Sequence, residues 1–373
     1  MSVRFSPANC PRLIVKIGSA LLVDPEGRVR RDWLAGVVAD IAARHQAGQK
    51  IAVVSSGAIA LGARRLGLAK GGRASLEDAQ AAAATGQIAL SHCWAELLHQ
   101  QRLVAAQMLV TLDDLEDRRR YLNAASTLDR LLSLGVVPVI NENDSVATEE
   151  IRFGDNDRLA ARIGQAADAQ GVILLSDIDG LYTANPQRDP AARLVPEVRR
   201  IDARIKAMAD GGSASGMGSG GMISKLEAAR IAQRSGTHLA IISGKREHPL
   251  AAFDADGHGT VFVGEKAGNA RKAWLAGRLT AKGRVVIDAG AARALTEGRS
   301  LLAAGAISVD GRFARGDVVD IVGPDGHAVA RGLVEYDAAD AARIVGRRSD
   351  TLEAILGYVP RSALVHRDHM VVL

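Results

Sequence analysis

Short aliphatic runs alternate with longer stretches of helical periodicity over roughly the first 260 residues of the chain. The aliphatic runs are continuous, rich in β-branched residues and bounded by Gly or polar residues, which is typical of strands buried on both faces. They lie at residues 13–17, 51–54, 136–140, 172–175 and 239–242. The helical stretches lie at residues 32–46, 78–99, 121–134, 156–169 and 224–234. This alternation predicts an α/β fold with a parallel-rich open sheet sandwiched by helices, whose ligands bind beyond the carboxyl ends of the strands.

The alternation of predicted strands and helices ends after Val263. Residues 265–280 look like a connecting segment, and from residue 281 the strands become short and are separated by turn pairs such as Asp310-Gly311. A length of 373 residues also fits two domains better than one. We therefore expect an α/β catalytic domain at 1–264, a connector at 265–280 and a small, mostly-β, barrel-like module at 281–373.

Composition narrows the classes of protein. Hydrophobic residues make up 47% of the chain and charged residues 24%, which is typical of a globular protein. The net charge is only +5, and the C-terminal module holds 12 basic and 12 acidic residues, which disfavours an RNA-binding patch there. Cys10 and Cys93 lie far apart, which disfavours a disulfide framework or a zinc site. No signal peptide or membrane-spanning run is recognised, so we expect a cytoplasmic protein.

Two loops at predicted strand ends have the chemistry of anion sites. The first strand ends in Lys16-Ile17-Gly18, where the lysine either meets an anion or extends its stem to the rim of the fold. Gly18 would let a backbone N–H approach a phosphate closely. The second strand runs into Ser55-Ser56-Gly57, whose hydroxyls and amides at a helix start suit a carboxylate or a phosphate, or serve only as a helix cap.

Polar clusters follow the later strands. Residues 141–144 (Asn-Glu-Asn-Asp) and 154–157 (Gly-Asp-Asn-Asp) are dense in carboxylates and amides, which suits a small zwitterion whose amino group meets a carboxylate. Asn156 or Asp157 is equally compatible with a helix cap. Ser176-Asp177 follows another strand and suits the ribose of a nucleotide, although by itself it is an ordinary turn.

A glycine-rich segment, residues 211–221, precedes Ser224 and Lys225. It lacks the preceding strand and the following acidic residue of a dinucleotide fingerprint. The Walker pattern also fails, because the only Gly-Lys pair, Gly244-Lys245, is followed by Arg246 rather than by Ser or Thr. Two interpretations stay open: a loop whose amides and lysine bind phosphates, and a linker.

Taken in order, these loops resemble the amino acid kinase family, and in particular its glutamate-phosphorylating members. The resemblance runs from about Arg12 to the C-terminus. It rests on the segments VKIGS (15–19), VVSSGAIALG (53–62), AAAATGQ (81–87), VVPVINENDSVA (136–147), FGDNDRLAA (153–161), LLSDIDGLYTANP (174–186) and SGMGSGGMISK (215–225). The C-terminal module resembles the PUA domain, which is named for pseudouridine synthase and archaeosine transglycosylase.

The resemblance implies ATP-dependent phosphorylation of the side-chain carboxylate of L-glutamate to L-glutamyl 5-phosphate, the first step toward proline. It implies that Lys16 and Lys225 stabilise the transferring phosphoryl group and that Asp157 holds these lysines in place. Glutamate would be bound by Ser56, Asp144 and Asn156, with Asn141 as a neighbour. The ATP site would consist of Lys16, Ser176, Asp177, Ser219, Gly220, Gly221, Met222, Ile223, Ser224 and Lys225. Magnesium is expected on the ATP phosphates, and no protein ligand for it is assigned.

The resemblance leaves several alternatives open. Another family member, such as acetylglutamate kinase or aspartokinase, would share the sheet and the phosphate loops. A protein of a different class, which binds RNA through the C-terminal module on a kinase-like scaffold, is disfavoured by the neutral charge of that module. The family also implies a homo-oligomer, a dimer or a tetramer, and possible feedback inhibition by proline. Ser55, Ser176 and Ser219 stand where the family commonly has threonine, and Ala20 replaces a usual hydroxyl.

Overall fold

The computed structural model describes residues 2–146, 156–209, 221–265, 281–358, 361 and 363–373. The described residues divide into two units. The first unit holds those of Met1–Glu116 and Asn123–Ala267, and the second holds those of Asp117–Leu122 and Gly268–Leu373. No helix among the described residues combines the length and the apolar character needed to cross a bilayer.

An eight-stranded sheet forms the centre of the first unit. Its strands are β1 (Arg12–Ile17), β2 (Lys50–Val54), β3 (Ala105–Val110), β4 (Val137–Glu142), β5 (Gly171–Ser176), β6 (Glu197–Val198), β7 (His238–Ser243) and β8 (Thr260–Phe262). Their spatial order is β3-β4-β2-β1-β5-β7-β8-β6. The strands from β3 to β7 in this order are parallel, whereas β8 runs antiparallel to β7. The parallel-rich open sheet expected from the sequence is therefore confirmed.

Helices connect the parallel strands. Over residues 2–265 the described helices are α1 (Ser19–Leu22), α2 (Arg31–Gln46), α3 (Ala58–Leu66), α4 (Leu76–Gln100), α5 (Leu112–Glu116), α6 (Arg118–Ser133), α7 (Asn156–Ala166), α8 (Ala203–Ala209), α9 (Met222–Arg234) and α10 (Pro249–Asp256). Short 3-10 turns occupy Ser2–Phe5 and Ala69–Gly72. The helix expected at 156–169 ends three residues early, because Asp168 adopts a left-handed backbone conformation with φ of 51°.

Alternate residues of the central strands pack on opposite faces of the sheet, and helices cover both. One cluster joins Leu13 and Val15 of β1 to Leu34 of α2, Trp94 of α4 and Phe253 of α10, all of them buried. Burial on both faces explains why these strands read as uninterrupted aliphatic runs.

On the other face α7 lies directly against the sheet. A Cβ atom on Gly164 would lie 2.8 Å from Val172 Cγ2, so the glycine lets the helix approach β5 closely. Because α7 begins at Asn156, this close packing fixes the first residues of the helix at the carboxyl end of the sheet.

The second unit contains a five-stranded sheet in the order β10-β9-β11-β12-β13. Its strands are β9 (Gly283–Ile287), β10 (Ala306–Gly311), β11 (Val318–Val322), β12 (Ala328–Val334) and β13 (Val365–Val372), with helices at Ala289–Thr296, Ala338–Ile344 and Leu352–Leu356 and 3-10 turns at Ala303–Gly305 and Ser349–Thr351. Strand β11 pairs parallel with β9, and the other pairings are antiparallel. The expected mostly-β module at the C-terminus is thus present, with its own core.

Candidate active site

Two lysines from distant parts of the chain bind one carboxylate at the carboxyl end of the sheet. Lys16 Nζ lies 2.6 Å from Asp157 Oδ1, and Lys225 Nζ lies 2.9 Å from Asp157 Oδ2. Asp157 is only 1% exposed, and both lysines are buried as well. The three groups carry a net charge of +1 when all are ionised, so the cluster retains an excess positive charge in a region of low dielectric. Such a cluster is suited to an anionic ligand.

The two lysines hold Asp157 in its ionised form. Burial alone raises the pKa of this carboxyl, but the charges and hydrogen bonds of Lys16 and Lys225 outweigh burial and leave the pKa below its ordinary value. Asp157 is also the second residue of α7, where the helix dipole favours a negative charge. The carboxylate therefore stays charged at neutral pH and keeps the two ammonium groups together.

Local structure explains why each member of the cluster reaches this point. Lys16 is the penultimate residue of β1, and the extended chain continues into Gly18, which lies beside the Lys16 ammonium. A Cβ atom on Gly18 would lie 3.8 Å from Lys16 Nζ, so the Gly18 backbone lies next to the charge. Lys225 lies in the first turn of α9, which begins after Gly221 with Met222, Ile223 and Ser224. The amides of this first turn add further anion-binding groups.

Asn156, the neighbour of Asp157, is the centre of a second polar cluster. Its amide nitrogen lies 2.9 Å from the carbonyl oxygen of Ser55, 2.7 Å from Ser56 Oγ and 3.0 Å from Asn141 Oδ1. An amide nitrogen has two protons, so at most two of these three acceptors receive a full hydrogen bond at one time. The cluster joins the predicted residues Ser56, Asn141 and Asn156 in one place.

The side-chain oxygen of Asn156 is a buried acceptor whose hydrogen-bonding capacity is unused among the described residues. Asn156 is buried, and its Oδ1 atom has no hydrogen-bond partner among the described residues. A buried acceptor that is left without a donor costs about 1–3 kcal/mol. A ligand that donates a hydrogen bond, such as an ammonium group, would remove this cost.

Residues that the sequence reasoning did not name support this cluster from α4. Gln87 Oε1 accepts a hydrogen bond of 2.8 Å from the Asn141 amide, and Gln87 Nε2 in turn donates to Ser91 Oγ at 3.2 Å. Trp94 Nε1 donates to the buried Ser55 Oγ at 3.1 Å. The only sequence signal for Gln87 was its place in the AAAATGQ segment, and a tertiary contact of Trp94 has no local signal.

Asp144 follows β4 and carries a perturbed carboxyl. Burial raises its pKa to about 6, and the positive charge of Arg73 opposes this shift. Arg73 comes directly after the Ala69–Gly72 turn, and Gly72 fits there because a Cβ atom would meet Ala63 Cβ at 2.8 Å. Asp144 thus titrates close to neutral pH and stays mostly ionised at pH 7.

The remaining predicted nucleotide residues lie further along the same edge of the sheet. Ser176, buried at the end of β5, donates from Oγ to Asp177 Oδ1 at 3.1 Å. Asp177 lines a cavity of about 340 Å³ together with Asp179, Ser243, Lys245, Arg246 and His258. The predicted ATP-site residues Ser219 and Gly220 lie outside the described residues. Among the residues that are described, no group of three or more His, Cys, Asp or Glu side chains is arranged to hold a metal ion.

The chain belongs to the amino acid kinase family, because residues 11–243 match the model of that family. Residues 283–356 match the PUA domain. Both matches confirm the family and the fold class that the sequence motifs indicated.

Similarity to curated proteins extends over nearly the whole chain. A protein named Glutamate 5-kinase from Sphingopyxis alaskensis is 73% identical over 369 residues, which are 99% of this chain and 99% of that protein. Another protein of that name, from Zymomonas mobilis, is 66% identical over 99% of this chain and 93% of its own length. A third, from Novosphingobium aromaticivorans, is 62% identical over 98% of this chain. These relatives agree with the resemblance to glutamate-phosphorylating members of the family.

Proposed function

We propose that this chain transfers the γ-phosphoryl group of ATP to the side-chain carboxylate of L-glutamate, and so catalyses the first step of proline biosynthesis. The observation that carries the proposal is the pair of adjacent residues Asn156 and Asp157. Asn156 is the centre of a polar cluster and has an unsatisfied buried acceptor, and Asp157 contacts two lysines. Relatives named Glutamate 5-kinase, one of them 73% identical to this chain, support the choice of reaction.

The nucleophile needs no general base. The side-chain carboxyl of glutamate has a pKa near 4.3 and is ionised at neutral pH. One of its oxygens forms a bond to the γ-phosphorus, the bond from that phosphorus to the β,γ-bridging oxygen breaks, and ADP leaves with the bonding electron pair. The obstacle is repulsion between two anions, so positioning and positive charge must supply the catalysis.

Lys16 and Lys225 are placed to supply that charge. Both ammonium groups are buried and aligned by Asp157 before any ligand binds, so little reorganisation is needed when charge shifts to the bridging oxygen. We assign Lys16 and Lys225 to stabilisation of the transferring group and Asp157 to positioning. Gly221, Met222, Ile223 and Ser224 would contribute backbone amides to the phosphates, and Ser219 and Gly220 stay predictions.

The second cluster supports recognition of a free amino acid. The α-ammonium group of glutamate would be bound by two acceptors, the unpartnered Asn156 Oδ1 and the Asp144 carboxylate. Ser56 and Asn141 would supply further polar contacts to the substrate. An N-acetylated substrate has no ammonium group and would leave both acceptors without their charged donor. This disfavours acetylglutamate kinase activity, and the similarity of the whole chain to glutamate 5-kinases disfavours an RNA-binding role.

Magnesium, which is expected to come with ATP, would neutralise charge on the β- and γ-phosphates. Ser176 and Asp177 would line the ATP site, Asp177 from the wall of the cavity. From the family alone we further propose a homo-oligomer, feedback inhibition by proline and a location in the cytoplasm. We also propose a catalytic domain at 1–264, a connector at 265–280 and a PUA domain at 281–373. Light scattering and an assay with added proline test the oligomeric state and the inhibition.

An acyl phosphate trap tests the reaction. With ATP, magnesium and L-glutamate, hydroxylamine should convert the product to a hydroxamate that forms in step with ADP. N-acetylglutamate and L-aspartate, in parallel assays, should give little product. Release of ADP without hydroxamate, or a preference for N-acetylglutamate, would overturn the proposed function.

A further inference from the structure

The cavity beside Asp177 lies beyond the lysine cluster, at the carboxyl ends of β5 and β7. Strand β5 lies between β1 and β7, so the end of β7 is two strand spacings, roughly 10 Å, from the end of β1. The register places Lys16 level with Leu174 of β5, and Leu174 level with Ile241 of β7. A nucleotide whose γ-phosphate lies at Lys16 therefore extends along this edge toward the cavity.

Gly244 lets the loop after β7 lie close to α1, the helix that follows Lys16-Ile17-Gly18. A Cβ atom on Gly244 would lie 2.2 Å from Leu21 Cδ1 and 3.2 Å from Leu175 Cβ, so the Gly244 backbone packs tightly against these two side chains. Leu21 belongs to α1, the short helix that begins directly after Lys16-Ile17-Gly18. The Gly244-Lys245 pair, which fails as a Walker motif, is thus packed against the start of the site.

Trp33 fixes the backbone on both sides of Lys245. Its buried indole Nε1 lies 2.8 Å from the carbonyl oxygen of Gly244 and 3.0 Å from that of Arg246, and so donates to both. The amide of Lys245 also donates to Ser243 Oγ at 3.3 Å. The main chain is therefore held in place, while the Lys245 side chain is exposed and lines the cavity.

The other charged groups of the cavity wall are mostly engaged with protein partners. Arg246 Nη1 lies 2.6 Å from Asp256 Oδ2, and His258 Nε2 lies 2.9 Å from Asp179 Oδ2. Lys245 has neither a side-chain hydrogen bond nor an ion pair with any of the described residues. Its ammonium group is thus available to an anion in the cavity.

We propose that Lys245, held by Trp33, binds the α- and β-phosphates of ATP and thereby sets nucleotide affinity. This inference rests on the proposed function. In this proposal the three lysines have different roles. Lys16 and Lys225 stabilise the phosphoryl group in transfer, whereas Lys245 contacts phosphates that stay with ADP. Trp33 is a positioning residue in this scheme.

A contact that is equal in the ground state and the transition state changes KM and leaves kcat unaltered. Lys245→Ala should raise the KM for ATP and the inhibition constant of ADP by about tenfold or more, as expected for the loss of a charge-assisted hydrogen bond. The kcat, the KM for glutamate and inhibition by adenosine should stay within about twofold. Lys245→Arg, which keeps the charge, should recover most of the affinity.

Lys50→Ala is the matched control, because Lys50 lies at the amino end of β2, whereas the cavity lies at the carboxyl ends of the parallel strands. It should leave all these constants unchanged. An unchanged KM for ATP in Lys245→Ala would overturn the proposal, and so would an equal loss of ADP and adenosine binding, since Lys245 would then contact the nucleoside. If the wild-type protein forms no hydroxamate and binds no ADP, the proposed function fails instead.

A double-mutant cycle tests the positioning role. Trp33→Phe removes the indole N–H and should raise the KM for ATP by a few fold, with kcat retained. In the Lys245→Ala background the same substitution should have little further effect on this KM. An equal effect in both backgrounds would show that Trp33 does not act through Lys245, and thermal unfolding of each variant accounts for any loss of folded protein.

Discussion

Asp157 binds Lys16 at 2.6 Å through one carboxylate oxygen, which leaves its other oxygen for Lys225 at 2.9 Å. One buried carboxylate is thus shared by two buried lysines, and the three groups carry a net charge of +1 when all are ionised. Burying charges costs several kcal/mol per ion, and pairing both lysines with the shared carboxylate offsets this cost. A polyanionic ligand would add negative charge beside the two lysines. Binding of such a ligand should therefore stabilise the cluster further.

Asp157→Asn should lower both stability and turnover. The variant removes the carboxylate that contacts both lysines, and removal of one partner from a buried ion pair costs about 3–5 kcal/mol. The free energy of unfolding from urea titration measures this loss. Asp129→Asn is the control, because Asp129 forms an ion pair of similar length with Arg12 at the surface, where loss of a pair costs about 1 kcal/mol or less.

The difference in unfolding free energy between wild type and Asp157→Asn should depend on pH with a defined sign. The folded-state pKa of Asp157 is below its ordinary value of 3.8, so its contribution is complete above the unfolded pKa and is lost as pH falls through the folded pKa. We expect the stability difference between wild type and Asp157→Asn to be constant from pH 8 to pH 5 and to shrink only in stronger acid. A difference that vanishes already at pH 6 would contradict the assigned pairing.

Lys225→Ala should reduce kcat by about 10²–10³-fold, the usual cost of losing one preorganised transition-state contact. Asp157 keeps Lys16 as a partner in this variant, so the fold should survive, and circular dichroism checks this. The KM for glutamate should change little, since its proposed binding groups centre on Asn156. A near-normal hydroxamate yield per enzyme would remove Lys225 from the catalytic role.

Glutamate binding should weaken in mild acid. The pKa of Asp144 is about 6, so below that pH the group loses the charge that would meet the α-ammonium group of the substrate. We expect kcat/KM for glutamate to fall by about fivefold between pH 6 and pH 5, a range in which the substrate carboxylate remains mostly ionised. The KM for ATP should not follow this trend.

Two variants identify the titrating group. Asp144→Asn should give a low kcat/KM that is flat over this pH range. Arg73→Ala should shift the transition to higher pH, because the Arg73 charge lowers the pKa of Asp144. A transition that stays at the same pH in Asp144→Asn would assign the titration to another group.

Sequence patterns predicted the interior of the sheet better than its edge. The central strands are buried on both faces, so residues 13–17 and 172–175 stand out as aliphatic runs. Strand β3 (Ala105–Val110) escaped this pattern because it is an edge strand whose residues are mostly half-exposed or exposed. Its mixed sequence, AAQMLV, has neither a continuous apolar run nor a strict alternation.

The candidate site shows the same division between local and tertiary information. Lys16, Asp157 and Lys225 were named from motifs, but their convergence on one carboxylate depends on the order of the strands, which no local pattern encodes. Gln87 and Trp33 were not named, because each acts through a hydrogen bond to a residue distant in sequence. Residue types thus indicated the chemistry, whereas the supporting contacts required the fold.

The contact between α3 and α4 gives a last prediction, because their backbones touch. A Cβ atom on Gly86 would lie 1.8 Å from the carbonyl oxygen of Ala58, so Gly86→Ala must push the helices apart. Overpacking of this kind costs about 1–3 kcal/mol or more. Gln87 is the next residue, and its hydrogen bond to Asn141 would shift with α4, so the KM for glutamate should rise more than the KM for ATP. Ile88→Ala, at a site 73% exposed on the same helix, should leave both unchanged. Equal increases in both KM values for Gly86→Ala would indicate general loosening of the fold rather than displacement of the glutamate cluster.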